Sequence, residues 1–351
     1  MDNVKNIILA ADFGGTKGDL FVVDADNGSI IRHVFHTWRD LPLEILSEIK
    51  DFRGGIGRTL QMVRFCIEKA LDGVEYENLF FISNGFFFTP QLVESFGIKF
   101  KKRLSMGETT GVMFAERCST GICSLLGTGA TGNVFIDGVS IFLIDSNGLV
   151  CGDWGGADYI GFNFLRNVLR EQMFTKDIMP ETNEIMRFIE SNVKDAALLD
   201  HSKPMTYLRA RGWIVSTIAN HGNNVSLVSS FAEICDLCAR KGSVIARNVL
   251  EMAGREVAEN IYRSAEFNDV DKIDGLPIVV SGSVFIHSDF VFESFQRAIS
   301  QTLPNAKVIR SRKPQTYGQV IRMLEEIHTP EAAVPMIERF KEQADKLLGI
   351  L

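Results

Sequence analysis

The chain opens on two apolar runs, Ile7-Ile8-Leu9-Ala10-Ala11 and Leu20-Phe21-Val22-Val23, separated by the polar stretch DFGGTKGD. Unbroken apolar runs of this length, bounded by glycine, predict strands buried on both faces and joined by a tight turn. A third strand is expected over 29–35, and Leu79–Ser83 reads as a further buried strand. Between them Ile45, Leu46, Ile49, Leu60, Val63, Ile67 and Leu71 recur at helical spacing, so 43–71 is expected to be helix interrupted at Arg53-Gly54-Gly55. A shorter helix is expected over Gly107–Arg117.

The opening pattern then recurs. Ile122–Leu126 is a strand, Gly127-Thr128-Gly129 a tight turn, and Val134-Phe135-Ile136 a returning strand closed by the hairpin signal Asp137-Gly138. Helix is predicted over about 159–194 and through most of 205–265. Pro277–Ser281 reads as a late buried strand ending at Gly282, with a helix from Asp289. Residues 330–348 form an amphipathic helix with Lys and Glu on its outer face.

Composition narrows the function classes. With 351 residues the chain is long for one core and ordinary for two domains. A net charge of −7 argues against a phosphate-backbone partner, and no apolar run is long enough for a membrane span. The N-terminus lacks a signal-peptide layout, which makes a cytoplasmic protein the expectation. Of six cysteines only Cys235 and Cys238 form a CxxC, and their spacing on an expected helix is read as packing rather than metal or redox chemistry.

Three turns carry candidate chemistry. In DFGGTK, Asp12 ends a buried strand where a carboxylate can hold Mg²⁺, Gly14 and Gly15 offer amide donors, and Thr16 and Lys17 add a hydroxyl and a charge. Taken alone this fits a plain hairpin turn as well as a phosphate site. The second turn, GTGATGN (127–133), interleaves glycines with Thr128 and Thr131 after an apolar strand. The third, SGSVF (281–285), places small residues between a buried strand and a helix, where a base or ribose can lie against the backbone. Neither a dinucleotide-binding GxGxxG after a strand nor a P-loop occurs.

These motifs, in this order, resemble the superfamily of sugar kinases, heat-shock chaperone ATPases and actin, and within it the N-acetylglucosamine kinase group. The likeness runs from Ile8 to about Gly318 and includes GDWGG (152–156) and the helix-turn-helix stretch 232–254. It implies an α/β fold of two ribonuclease H-like domains, each a mixed five-stranded sheet with helices, flanking an ATP cleft. The expected division is 1–118 and 119–351, with a helical insert over about 159–265. It further implies an ATP- and Mg²⁺-dependent carbohydrate kinase acting on an amino sugar or hexose. Asp12 would organise the metal, and Gly14, Gly15, Thr16, Lys17, Gly127, Thr128, Gly129, Ala239, Gly282 and Ser283 would meet the nucleotide. Glu108, nineteen positions before Gly127, stands where the catalytic base belongs. Sugar contacts fall on Thr37, Trp38, Glu108, Ala130, Thr131, Asn147, Gly148 and Asp153. Members of this group often form homodimers; packing of the C-terminal helix within the monomer explains that helix equally well.

The sugar half departs from the pattern. Glu108 replaces an Asp, GDWGG puts Trp154 where the group has an acid, and the loop FHTWRDLP (35–42) lacks the usual Asn. Because a change of hydrogen-bonding groups alters selectivity by orders of magnitude, the sugar stays open. Two alternatives remain beside the kinase: an activase of the 2-hydroxyacyl-CoA dehydratase type, for which Cys123 and Cys151 are the cysteines nearest the expected cluster position, and a sugar sensor that has lost catalysis.

Overall fold

The computed structural model describes residues 6–14, 17–37, 55–84, 97–192, 207–219 and 225–350. The opening hairpin is β1 (Asn6–Phe13) and β2 (Lys17–Asp24), followed by β3 (Ile30–Thr37). β1 runs antiparallel to β2 with Asp12 opposite Asp19, and β2 antiparallel to β3 with Lys17 opposite Thr37. β4 (Asn78–Ser83) lies parallel to β1, and β5 (Lys102–Ser105) parallel to β4. The sheet order is β3-β2-β1-β4-β5.

β1 needs no polar face because helices cover both sides of the sheet. Ile8 and Ala10 point to one face with Phe21, Val23 and Ile82; Ile7, Leu9, Ala11 and Phe13 point to the other with Leu20 and Val22. That alternation is the period-two geometry of a strand buried on both faces. Val63, Cys66, Ile67 and Ala70 of helix α1 (Gly55–Leu71) fill the second face. The expected helix over 43–71 is thus seen from Gly55 on; 43–54 lie outside the described residues. The first face is covered from the far end of the chain, by α10 (Gln315–Ile327) and α11 (Pro330–Leu347) through Tyr317, Val320, Ile321, Leu324, Ile337 and Phe340. The amphipathic C-terminal helix therefore packs within the monomer.

Helix α2 (Glu108–Ala115) crosses α10 at two glycines. A methyl on Gly318 would sit 1.8 Å from the Gly111 carbonyl oxygen, so only a residue without Cβ permits this approach.

The second sheet is built from β6 (Gly121–Leu126), β7 (Ala130–Ile136), β8 (Val139–Asp145), β9 (Pro277–Ser281) and β10 (Lys307–Arg310), in the order β10-β9-β6-β7-β8. This repeats the order of the first sheet, with β6 in the place of β1. Its helices are α3 (Ala157–Gln172), α4 (Pro180–Asn192), α5 (Tyr207–Ala219), α6 (Val225–Arg240), α7 (Val244–Phe267), α8 (Ser283–His287) and α9 (Asp289–Thr302). The helix expected over 159–194 is two helices: buried Gln172 ends the first by bonding the Thr175 and Asp177 carbonyls and the Met179 amide.

The compact units are 1–123 with 135–140 and 311–351, and 124–134 with 141–310. The expected division at 118/119 differs from this, because α10 and α11 complete the core of the first sheet after the chain has built the second unit. No helix among the described residues is long and apolar enough to cross a membrane.

Candidate active site

In the first unit the chemistry gathers at the ends of β1 and β4 and the start of α2. Asp12, the last inward-facing position of β1 before Phe13, is 6% exposed. Burial pushes its carboxyl up to about 7; Lys17 opposes the rise, Glu108 adds to it, a Gln315 hydrogen bond opposes it and Asp19 adds slightly. A buried carboxylate with a second carboxylate nearby is a place where added positive charge is favourable.

Asn84, directly after β4 and 2% exposed, joins the two acids. Its Nδ2 lies 3.0 Å from Asp12 Oδ1, 3.3 Å from the Phe13 carbonyl and 3.4 Å from Glu108 Oε1, while its Oδ1 accepts from the Phe13 amide at 3.4 Å. Glu108 itself is exposed, at the first position of α2 after Gly107. An acid there is favoured by the helix dipole and by four amides lacking intrahelical partners. The turn is closed by the Gly14 amide bonding the Lys17 carbonyl at 3.0 Å. Lys17 Nζ stands 5.9 Å over the Phe35 ring, and the β2–β3 register sets Thr37 beside Lys17. Behind them Asp19 is tied to His33 Nε2 and Thr316 Oγ1, both at 2.6 Å. Gly15, Thr16 and Trp38 lie outside the described residues.

The second unit repeats the strand-turn-strand at β6–β7. The carbonyls of Gly127 and Thr128 accept from the Ala157 and Asp158 amides at 2.9 Å, so the turn is held by the N-terminus of α3. Asp153 accepts the Ala130 amide at 3.2 Å, with a further backbone bond from Gly148; burial raises its carboxyl above the usual range. Asp153 is thus in contact with both Ala130 and Gly148, all three expected near the sugar. Asn147 lies on the same loop, where its amide meets Asp145 Oδ1 at 3.4 Å. Thr131 is half-buried in β7. Trp154 is 37% exposed with its ring edge against Tyr159, so it is not a buried core aromatic.

At the third turn Gly282 has φ +94°, and a methyl there would come within 2.4 Å of the Leu126 carbonyl oxygen. This backbone is open to glycine alone, and Ser283 then starts α8. Ala239 is buried near the end of α6. Arg240, its neighbour, bonds Asp236 at 2.5 Å and the His287 carbonyl at 3.1 Å, and Ser288 Oγ bonds Asp236 at 2.7 Å. These bonds join the Ala239 region to the segment after Gly282. Cys235 and Cys238 are buried, free thiols; burial pushes Cys238 up to about 12, as packing residues behave.

Sequence reasoning missed Asn84, Gln315 and Asp145. Asp145 Oδ1 accepts the Asp153 amide and Oδ2 the Trp154 amide, both at 2.8 Å, from a left-handed backbone at φ 65°. Its signal was the turn sequence Asp-Ser-Asn-Gly. Asn84 and Gln315 had none, because their partners are distant in the chain.

Among the described residues no three His, Cys, Asp or Glu side chains cluster as a metal cage. One or two carboxylates completed by phosphate oxygens is instead how proteins hold Mg²⁺ with a nucleotide, and buried Asp12 at the glycine turn fits that donor set.

No family model and no curated protein matches the chain. Solved structures do. A candidate N-acetylglucosamine kinase from Porphyromonas gingivalis is similar over 91% of this chain and 99% of its own, at 16% identity and a TM-score of 0.58. A second, from Chromobacterium violaceum, is similar over 92% and 99% at 16% identity and a TM-score of 0.53. A ROK family glucokinase from Streptomyces griseus, solved with glucose and AMPPNP, is similar over 90% and 97% at 14% identity and a TM-score of 0.51. The chain thus shares the two-sheet fold of these sugar kinases. The structures it is similar to include N-acetylglucosamine kinase-like proteins and ROK sugar kinases.

Proposed function

We propose that the protein transfers the γ-phosphate of ATP to a hydroxyl of an amino sugar or hexose. The observation that carries this reading is the pairing of buried Asp12 with Glu108 beside the first glycine turn, on a fold that sugar kinases use. Phosphoryl transfer requires little else of a protein: a base at the acceptor hydroxyl, charge to oppose the phosphates, and in-line positioning.

In this reading Glu108 takes the proton of the sugar hydroxyl. The acceptor oxygen bonds to the γ-phosphorus, the bond from that phosphorus to the bridging oxygen breaks, and ADP leaves with the electron pair. Glu108 is one methylene longer than the Asp of the related kinases, which is within the reach of a general base. Asp12 would hold Mg²⁺, which when bound neutralises charge on the β- and γ-phosphate oxygens. Gly14 and Lys17, with Gly15 and Thr16, are proposed to meet those phosphates. In the second unit, Gly127, Thr128, Gly129, Gly282 and Ser283 are the proposed nucleotide contacts, with Ala239 offering only backbone because its side chain is buried. Asp153, Thr131 and Asn147 are the proposed sugar contacts.

The activase reading is disfavoured by Cys123. It lies in β6 with no exposed surface, and burial raises its thiol far above the ordinary range, whereas a cluster shared between subunits needs accessible thiolates.

The test is ADP release by the purified protein with Mg²⁺·ATP, screened against amino sugars and plain hexoses. One sugar class should stimulate release. No stimulation by any of them would remove the kinase reading, and a protein that binds sugar and ATP without turnover would be the sensor.

A further inference from the structure

We infer that Asn84 is a positioning residue that sets the carboxylate of Glu108 relative to Asp12; the inference rests on the phosphoryl-transfer reading above. The starting point is a mismatch of side-chain length. A Glu at the exposed first position of α2 has three rotatable bonds and, with nothing to hold it, samples solvent. The resemblance to the N-acetylglucosamine kinase group implies the shorter Asp at this point. Something in this chain has to hold the longer side chain.

Asn84 has the chemistry to do so. It is 2% exposed, fixed by the Phe13 amide at its Oδ1 and by the Phe13 carbonyl at its Nδ2. The same nitrogen reaches Asp12 at 3.0 Å and Glu108 at 3.4 Å. Its two N–H groups are shared among these three acceptors, Asp12 the nearest and Glu108 the farthest, and a carboxamide does this without carrying charge. It can therefore space two carboxylates while leaving their negative charge for a cation and a proton. A Lys would cancel that charge, and an Asp would add a third acid that repels both. The three residues come from three elements, β1, the end of β4 and the start of α2, so no local sequence pattern announces them.

The experiment compares Asn84→Ala in the natural protein and in a Glu108→Asp background, by sugar-stimulated ADP release, calorimetric Mg²⁺·ATP affinity and thermal unfolding. In the natural background kcat should fall roughly 100-fold, the cost of about 1 Å of misplacement. The KM for sugar should stay within about threefold, and loss of the 3.0 Å bond to Asp12 should weaken Mg²⁺·ATP binding by much less than kcat falls. In the Glu108→Asp background the same substitution should cost less than about fivefold, since the shorter acid no longer needs the tether. Should Asn84→Ala fail to fold, Asn84→Leu, close in shape and with neither donor nor charge, carries the same comparison. Equal kcat in natural and Asn84→Ala protein overturns the inference. So does an equal loss in both backgrounds, or a loss that appears wholly as weaker Mg²⁺·ATP binding or lower stability. A natural protein with no sugar-stimulated ADP release removes the kinase reading and this inference together; an active natural protein matched by Asn84→Ala removes this inference alone.

Discussion

Gly318 and Gly212 are both helical glycines, yet substituting Ala should move stability in opposite directions. At Gly318 the added methyl carbon falls 1.8 Å from the Gly111 carbonyl oxygen and 2.9 Å from the Ala115 amide nitrogen. A carbon and a carbonyl oxygen rest no closer than about 3.3 Å, so α2 and α10 must separate by roughly 1.5 Å. The blocking atoms are backbone, so no rotamer change relieves the clash. Overpacking of this kind costs about 1–3 kcal/mol, and rigid obstruction puts Gly318→Ala at the upper end. The displacement also reaches the site, because α2 begins at Glu108 and α10 begins at Gln315, which bonds Asp12. A shift of about 1 Å there should cost roughly 100-fold in kcat. At Gly212, in α5, an added methyl meets nothing within 4 Å, so Ala should gain about 0.5–1 kcal/mol from helix propensity alone. Urea unfolding of both variants, with ADP release on the folded proteins, makes the comparison. Gly318→Ala within about 0.5 kcal/mol of the natural protein and fully active would refute the reasoning, since that is the range of an unremarked surface change.

Three further outcomes are expected. Glu108→Gln should lower kcat about 10²- to 10⁴-fold with unchanged unfolding, the span of general-base catalysis, and a loss confined to KM would argue against the assigned role. Asp145→Ala removes the acceptor for the Asp153 and Trp154 amides. Bonds to a charged acceptor are worth about 1.5–3 kcal/mol, so a loss of about 3 kcal/mol is expected, read by urea unfolding, together with a raised KM for the sugar. Thiol labelling of the native protein at pH 8 should be rapid at exposed Cys151 and slow at buried Cys66, Cys123, Cys235 and Cys238, and Cys151→Ser should remove the fast phase in mass spectrometry.

Local patterns made the strand-turn-strand units legible. The runs around 7–11 and 20–23 have no polar position to offer solvent, so burial on both faces followed directly, and β1 and β2 are observed there. Asp12 was legible as the acid closing a buried run before a glycine turn, whereas Glu108 was reached only through the resemblance, by its place nineteen positions before Gly127. The helix α10 escaped notice because its buried first turns hold Gln315, Thr316, Gly318 and Gln319, residue types that give no sign of burial. β10, four residues with two cations, carried too little apolar signal for a strand.

The sequence by itself determined the repeated hairpin, the glycine turns and the place of Asp12 beside the first of them, since each depends on neighbours within a few residues. Only the tertiary structure decided that α10 and α11, written last, close the core begun by β1, because an apolar face says that it needs cover and not which segment supplies it. It alone also decided that Asn84 stands between Asp12 and Glu108. A buried amide finds its partners by where strands end in space, and chain spacing holds no record of that.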